Sequence, residues 1–321
     1  MSQLAMSDST AVRITQFVAQ TVNSHLDRRG NDFMALNDAA LGRRAAEVLS
    51  VATFRHVIRD EPVDRAEMLL RSFAHEGMIS LKDRRVDALT VLADFLKRKY
   101  RNEHVYKAAI TEKIFIGRHG IYNASIMNEF AVASSVIDTV IVNGSATAYE
   151  IKTELDSATK LRKQLLDYSR AFRRTFVVTH ESLEHEYRNR LRDTSAGLIV
   201  LTRRGTLSKR IEATSDTRNL AIETMMKCLR KAEYTNLIDS YYGTSFSVQS
   251  VQHFKYYLEM SDRIDPVAFN KLFEQQLRQR TLRNPDLLKE TSNSSLKQFY
   301  VQLNPNLSQH SKLNHWLRER V

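Results

Sequence analysis

A run of β-branched residues, Val136-Ile137-Asp138-Thr139-Val140-Ile141-Val142, leads straight into Asn143-Gly144 and then into a second stretch, Thr147 to Lys152. β-Branched side chains suit an extended, half-buried backbone, and Asn-Gly suits the left-handed positions of a tight turn. The segment is therefore expected to fold as a β-hairpin. Three charges interrupt it: Asp138 on the first strand, Glu150 and Lys152 on the second. Residues two apart on a strand face the same way, so Glu150 and Lys152 project together, and the turn carries Asp138 to them. Charges in strands this apolar need a partner or a metal, because burying them alone is costly.

Two carboxylates on adjacent strands suit a hard divalent cation, Mg²⁺ first, with Mn²⁺ as its substitute. The main-chain carbonyl of Ile151, between Glu150 and Lys152, is a candidate third oxygen. A cation held there lowers the pKa of a bound water and polarises a phosphodiester. Lys152 is placed to orient the attacking water or to stabilise charge building on the phosphate.

The surroundings of the hairpin predict an α/β fold with a mixed central sheet flanked by helices. A helix capped by Asp156 or Ser157 is expected to run to about Arg173. Short apolar strands follow at Thr175 to Thr179 and Gly197 to Thr202, with a helix from Glu181 to Arg192 between them. A last strand ends at Ile211, after a turn at Arg204-Gly205. Residues 1–100 read as an N-terminal helical region, 101–215 as the core and 216–321 as a C-terminal helical region. In the first, Ile14, Phe17, Val18, Val22 and Leu26 share one helical face behind the capping residues Ser7, Asp8 and Ser9. Amphipathic stretches follow at Leu41 to Arg55 and Arg65 to His75, and a fourth carries Leu89, Leu92, Phe95 and Leu96. A plain bundle is the expectation there, with a winged helix-turn-helix over 61–85 as its rival. In the last region Asp265-Pro266 reads as a helix start, and the polar stretch from Thr291 to Ser311 has no clear pattern.

The pattern Asp138, then Glu150-Ile151-Lys152, resembles the PD-(D/E)XK nuclease superfamily. Gln164 and Tyr168, in Gln164-Leu165-Leu166-Asp167-Tyr168, resemble the Gln-x-x-x-Tyr helix of its RecB- and Cas4-like branch. The stretch from Phe95 to Thr179, with Lys99-Tyr100-Arg101-Asn102-Glu103 and Tyr149 to Ser157, is similar to the bacterial and phage sce7726-type family. The resemblance covers about 95–215. Ile137 stands where the superfamily's proline would precede the aspartate. It implies a Mg²⁺-dependent nuclease in which Asp138 and Glu150 hold the metal and Lys152 is the catalytic lysine. It gives Glu129, expected on a helix from Tyr122 to Ala133, the part of an extra acidic ligand. Gln164 and Tyr168 would support the site or touch substrate. It also suggests phage or anti-phage biology.

Charge agrees with a polyanionic partner. Lysine and arginine number 48 against 37 aspartates and glutamates, a net charge of +11, which favours nucleic acid, DNA before RNA. Lys160, Lys163 and Arg170, with Arg162, Arg173 and Arg174, place a basic face on the helix after the hairpin, suited to holding a phosphate backbone. No apolar run reaches membrane-spanning length, no secretory leader is legible, and the single cysteine, Cys228, excludes an intrachain disulfide. A cytoplasmic protein is expected, with the helical flanks free to form a homodimer or recruit a protein partner. Two rivals stand beside the nuclease: a catalytically silent or partner-activated nucleic-acid-binding module, and an RNase-type toxin. His180 and His185 are five apart and cannot share one helical face as zinc ligands. Phe254, Tyr256 and Tyr257 read as helix packing rather than base stacking.

Overall fold

The computed structural model describes residues 37–246, 250–291 and 293–321. The first predicted helix, with Ser7, Asp8, Ser9, Ile14, Phe17, Val18, Val22 and Leu26, lies outside them. At the centre is a six-stranded sheet: β1 (Ser125–Val132), β2 (Ser135–Asn143), β3 (Ser145–Lys152), β4 (Arg174–His180), β5 (Gly197–Leu201) and β6 (Leu207–Ile211), in that spatial order. β1, β2 and β3 form an antiparallel meander, β3, β4 and β5 are parallel, and β6 returns antiparallel. This is the mixed α/β architecture that the sequence predicts.

The predicted hairpin forms with Gly144 alone between the paired Asn143 and Ser145, at φ 70°, a backbone setting that glycine adopts without cost. Parallel strands need a crossover, and helices supply it on both sides of β4. β4 and β5 are buried along nearly their whole length because both of their faces are covered.

Along the chain, α1 covers 37–48, followed by α2 (Val51–Arg59), α3 (Asp64–His75), α4 (Arg85–Lys99) and α5 (Glu103–Ile110). α5 continues into a π-helical stretch, Thr111–His119. The expected single helix from Leu41 to Arg55 is two, because Ser50 caps α2 by accepting from Thr53 N–H at 3.2 Å. Segment 61–85 holds α3 and a turn, part of a bundle, and no wing strands among the described residues. After the hairpin come α6 (Leu161–Ser169) and α7 (Glu184–Arg190). α6 ends earlier than predicted, so Arg170, Arg173 and Arg174 lie beyond it.

The C-terminal region is helical: α8 (Ile222–Cys228), α9 (Lys231–Tyr242), α10 (His253–Ser261), α11 (Pro266–Arg278), α12 (Leu287–Glu290), α13 (Ser294–Leu303) and α14 (Leu307–Arg318). Asp265 caps α11 as predicted, accepting from Val267 and Ala268 N–H at 3.0 and 2.9 Å. The Asn/Ser-rich stretch is explained by caps: Asn293 starts α13, and Asn306 with Gln309 forms a capping box on α14.

Alternation along β3 sorts its side chains. Tyr149 and Ile151 enter a core shared with α1–α5, α13 and α14, while Ala146 and Ala148 enter a second core with α6, α8, α10 and α11. Glu150 and Lys152 share parity with Ala148 and so face α6. The first core joins the N-terminal and C-terminal helices among the described residues. Phe54 of α2 stacks on Phe299 of α13 at 3.9 Å, and Phe299 stacks on His104 of α5 at 4.5 Å. No described helix is long and apolar enough to cross a membrane.

Candidate active site

Asp138, Glu150 and Lys152 meet at the open end of the hairpin. The β2–β3 ladder runs from Asn143↔Ser145 to Thr139↔Tyr149 and stops. Continued by two residues, it would pair Ile137 with Ile151. Instead the Asp138 carboxylate turns inward, and its Oδ2 accepts from Ile151 N–H at 2.6 Å. A side chain has replaced a backbone carbonyl. Ile151, whose carbonyl is the candidate third oxygen, meets Asp138 through its N–H.

Glu150 is 1% exposed and Lys152 8%, so neither charge is solvated and each needs the other. Lys152 Nζ lies 2.7 Å from Glu150 Oε1. The Tyr168 hydroxyl of α6 lies 2.6 Å from Glu150 Oε2 and 2.7 Å from the Val136 carbonyl. A hydroxyl has one proton to give. It therefore divides that proton between two acceptors, the Glu150 carboxylate and the Val136 carbonyl. Burial raises the Glu150 pKa, against the opposing pull of Lys152, Tyr168 and Gln164. Gln164 is one turn before Tyr168 on α6, and its Oε1 is buried with no hydrogen-bond partner among the described residues.

Glu129 is not on a helix. Tyr122 to Ala133, predicted helical, contains strand β1, and register pairs Asn128 with Thr139 and Phe130 with Ile137, which sets Glu129 opposite Asp138. The reason lies in the turn. Val132 pairs with Ser135 across Ala133-Ser134, with Ala133 left-handed at φ 52°. A two-residue turn built on alanine and serine lacks the Asn-Gly signal that marks the other one. Glu129 is itself left-handed, at φ 53°. There the strand's alternation slips: Ile126 enters the first core and Phe130, four residues on, the second. Non-glycine residues held in this region are uncommon and concentrate at functional sites.

α5 completes the site with two residues that sequence reading did not assign. Carboxylate oxygens of Glu103, Glu129 and Asp138 lie within 4.8 Å of one another. Lys107, one turn along from Glu103 and 5% exposed, is ion-paired with both Glu103 and Glu129. Its burial would lower its pKa, but the Glu103 and Glu129 carboxylates outweigh that and raise it. Asp138 is pushed up to about 8, by burial first and then by the Glu150 and Glu103 charges, against Ile151 N–H and Lys107. The only hint in the sequence was a Glu-x-x-x-Lys spacing, which on its own describes any solvated helix pair.

Two members of the predicted basic face are engaged with neighbours and four are exposed. Lys163 ties down the β1–β2 turn by donating to Ser134 and, at 2.9 Å, to Asp167. Arg173 pairs with Glu274 at 2.7 Å. Lys160, Arg162, Arg170 and Arg174 are exposed. Phe254, Tyr256 and Tyr257 pack among Tyr234, Tyr242 and Phe246, as helix packing requires.

The fold and site together define a mixed α/β protein with a carboxylate–lysine cluster at the splayed end of a central hairpin. Residues 96–313 match the family described as bacteriophage P4 protein cII, and the chain belongs to that family. The match runs through both the hairpin and the C-terminal helices. No curated protein and no solved structure matches the chain.

Proposed function

We propose that this protein is a metal-dependent nuclease of the PD-(D/E)XK type that hydrolyses phosphodiester bonds, in DNA before RNA. The observation that carries the reading is the meeting of Asp138 with the Glu150–Lys152 pair at the unpaired end of the β2–β3 ladder. This is the arrangement that the resemblance implies, with Tyr168 of the Gln-x-x-x-Tyr helix on the same carboxylate. Membership of a family described by a bacteriophage protein supports a place in phage biology.

The residues fit a divalent cation. Glu103, Glu129 and Asp138 offer hard oxygen donors within 4.8 Å of one another. Against these three carboxylates stands one ammonium, Lys107, which leaves two charges to balance. Glu150 stands outside this trio, held by Lys152 and Tyr168. Asp138, Glu129 and Glu103 would hold Mg²⁺ or Mn²⁺, with Glu150 at its border. Bound there, the cation supplies Lewis acidity toward a phosphodiester and acidifies water. Lys152 places its ammonium where charge builds on the phosphate, and Glu150 fixes that ammonium. Tyr168 and Gln164 hold Glu150 in turn.

The closed state of the network favours one second reading. Each lysine is already neutralised by carboxylate, as expected of a partner-activated or silent nucleic-acid-binding module. A cleavage assay separates the two. Wild type and Asp138→Ala are offered linear and circular duplex DNA, single-stranded DNA and RNA, in EDTA, Mg²⁺ or Mn²⁺. Cleavage that needs metal and is lost in the variant supports the nuclease. Binding without cleavage under every condition supports the module.

A further inference from the structure

Behind α5 lies a second constellation that the hairpin site does not use. The end of α4, α5, the start of the π-helical stretch and the β5–β6 turn enclose a cavity of about 330 Å³. Six cations line it: Lys97, Arg98, Arg101, Lys113, Arg203 and Arg204. The one carboxylate in its lining, Glu112, is engaged elsewhere, 3.2 Å from Lys297 Nζ. Among the described residues no carboxylate pairs with Arg98, Arg101, Lys113 or Arg204. Like charges gathered this closely repel one another, and a bound anion relieves that repulsion.

The assembly is fastened rather than accidental. Arg101 donates to the carbonyls of Lys97, Thr202 and Arg203 at 2.8, 3.0 and 2.8 Å. One guanidinium thus ties the basic end of α4 to the Arg203-Arg204 turn, two runs a hundred residues apart in the chain. Val105, Ala108 and Leu201 form an apolar floor, which suits the sugar of a nucleotide as well as its phosphate.

Position narrows the ligand. Glu103 and Lys107 occupy one side of α5, and Val105 and Ala108 the other, by helical spacing. The cavity therefore stands about one helix diameter, ~10 Å, from the carboxylates. A polymer of phosphates can reach both places at once, which a free anion cannot.

We infer that this cavity grips the phosphate backbone of a nucleic-acid strand beside the hairpin site. The gripping itself does not depend on the nuclease reading; only its purpose, seating the strand for cleavage, rests on that reading.

The test is binding of fluorescently labelled single-stranded DNA, duplex DNA and RNA to the full chain in EDTA, followed by anisotropy over a range of salt. The double variant Lys113→Glu with Arg204→Glu is compared with Lys227→Glu with Lys255→Glu. The latter pair makes the same change of net charge on α8 and α10, beyond the other face of the sheet. Circular dichroism and thermal melting confirm that both fold, and Lys113→Gln with Arg204→Gln replaces a reversal that does not. The expected result is an affinity loss of at least about tenfold for the cavity variant, with the salt slope reduced by about 2. The α8/α10 variant should lose far less. Equal losses in the two variants would show a general charge effect and overturn the inference. So would full displacement of the strand by inorganic phosphate at constant ionic strength, the mark of a small-anion site. Cavity-dependent binding with no cleavage in Mn²⁺ would retire the nuclease and keep the grip. Cleavage with cavity-independent binding would do the reverse.

Discussion

The carboxylate of Asp138 accepts the backbone N–H of Ile151 at 2.6 Å, in the place where the ladder would otherwise pair Ile151 with Ile137. This exchange splays β2 from β3 at their ends. It also holds an acidic group against Glu150 and Glu103 in a largely dry setting, which is why its pKa rises to about 8.

That rise makes stability depend on pH with a definite sign. Between about pH 4, where an ordinary aspartate ionises, and about 8, the folded chain keeps a proton that the unfolded chain has released. Stability contributed at this position therefore falls as pH rises through the window, and the loss is complete above it. In EDTA, the Tm of Asp138→Asn relative to wild type should climb from pH 4 to 8 and then level off. A difference that is constant with pH would remove Asp138 as the titrating group. Mn²⁺ affinity of the wild type should strengthen over the same window, because the metal competes with the proton.

Lys152→Ala and Asp138→Asn should each lower metal-dependent cleavage by roughly 100-fold or more. Lys152→Ala also leaves Glu150 without its charge partner at 2.7 Å, so thermal melting should be measured beside the rate. Retained folding with lost cleavage is the expected outcome; full activity in Lys152→Ala would exclude its role at the phosphate.

Tyr168→Phe removes the hydroxyl shared by Glu150 and the Val136 carbonyl. The unmet acceptors should cost about 1–3 kcal/mol of stability. Chemical denaturation measures this directly, and a neutral substitution would mean the hydroxyl is not needed to hold Glu150.

Glu129 offers a test of strain against function. At φ 53° a side chain is penalised by about 1–2 kcal/mol relative to glycine. Glu129→Gly should therefore be more stable than Glu129→Ala by about 1 kcal/mol, while both bind Mn²⁺ more weakly than wild type. Equal stabilities of the two variants would show that the left-handed setting is not a cost.

Phe299→Ala should cost about 3–5 kcal/mol, the usual loss for an aromatic ring in a packed core. Phe299 is 1% exposed and stacks on both Phe54 and His104, so it joins α13 to α2 and α5. A single unfolding transition, shifted as a whole, is expected if α13 folds together with α2 and α5. Loss confined to a minor transition would show that they do not.

Much of the hairpin was legible because its signals are local. The β-branched run predicts β2, Gly144 the turn, and the i, i+2 spacing the joint projection of Glu150 and Lys152. The Asp265 cap and the continuous apolar runs of β4 and β5 were equally plain. The helix predicted around Glu129 failed for an equally local reason: Ala133-Ser134 makes a turn that residue types do not advertise, and only pairing with β2 makes the segment extended.

Sequence by itself determined the strands of the central sheet after β1 and the three charges within the hairpin, since short-range sterics and periodicity decide those. Tertiary structure alone decided which charges meet. Glu103 and Lys107 enter the site because α5 packs over the hairpin, and Lys97 to Arg101 meet Arg203-Arg204 because Arg101 bridges the gap. α2 and α13 share one core, in which Phe54 and Phe299 stack. Such meetings join residues far apart in the chain, and long-range packing, which no local spacing encodes, fixes them.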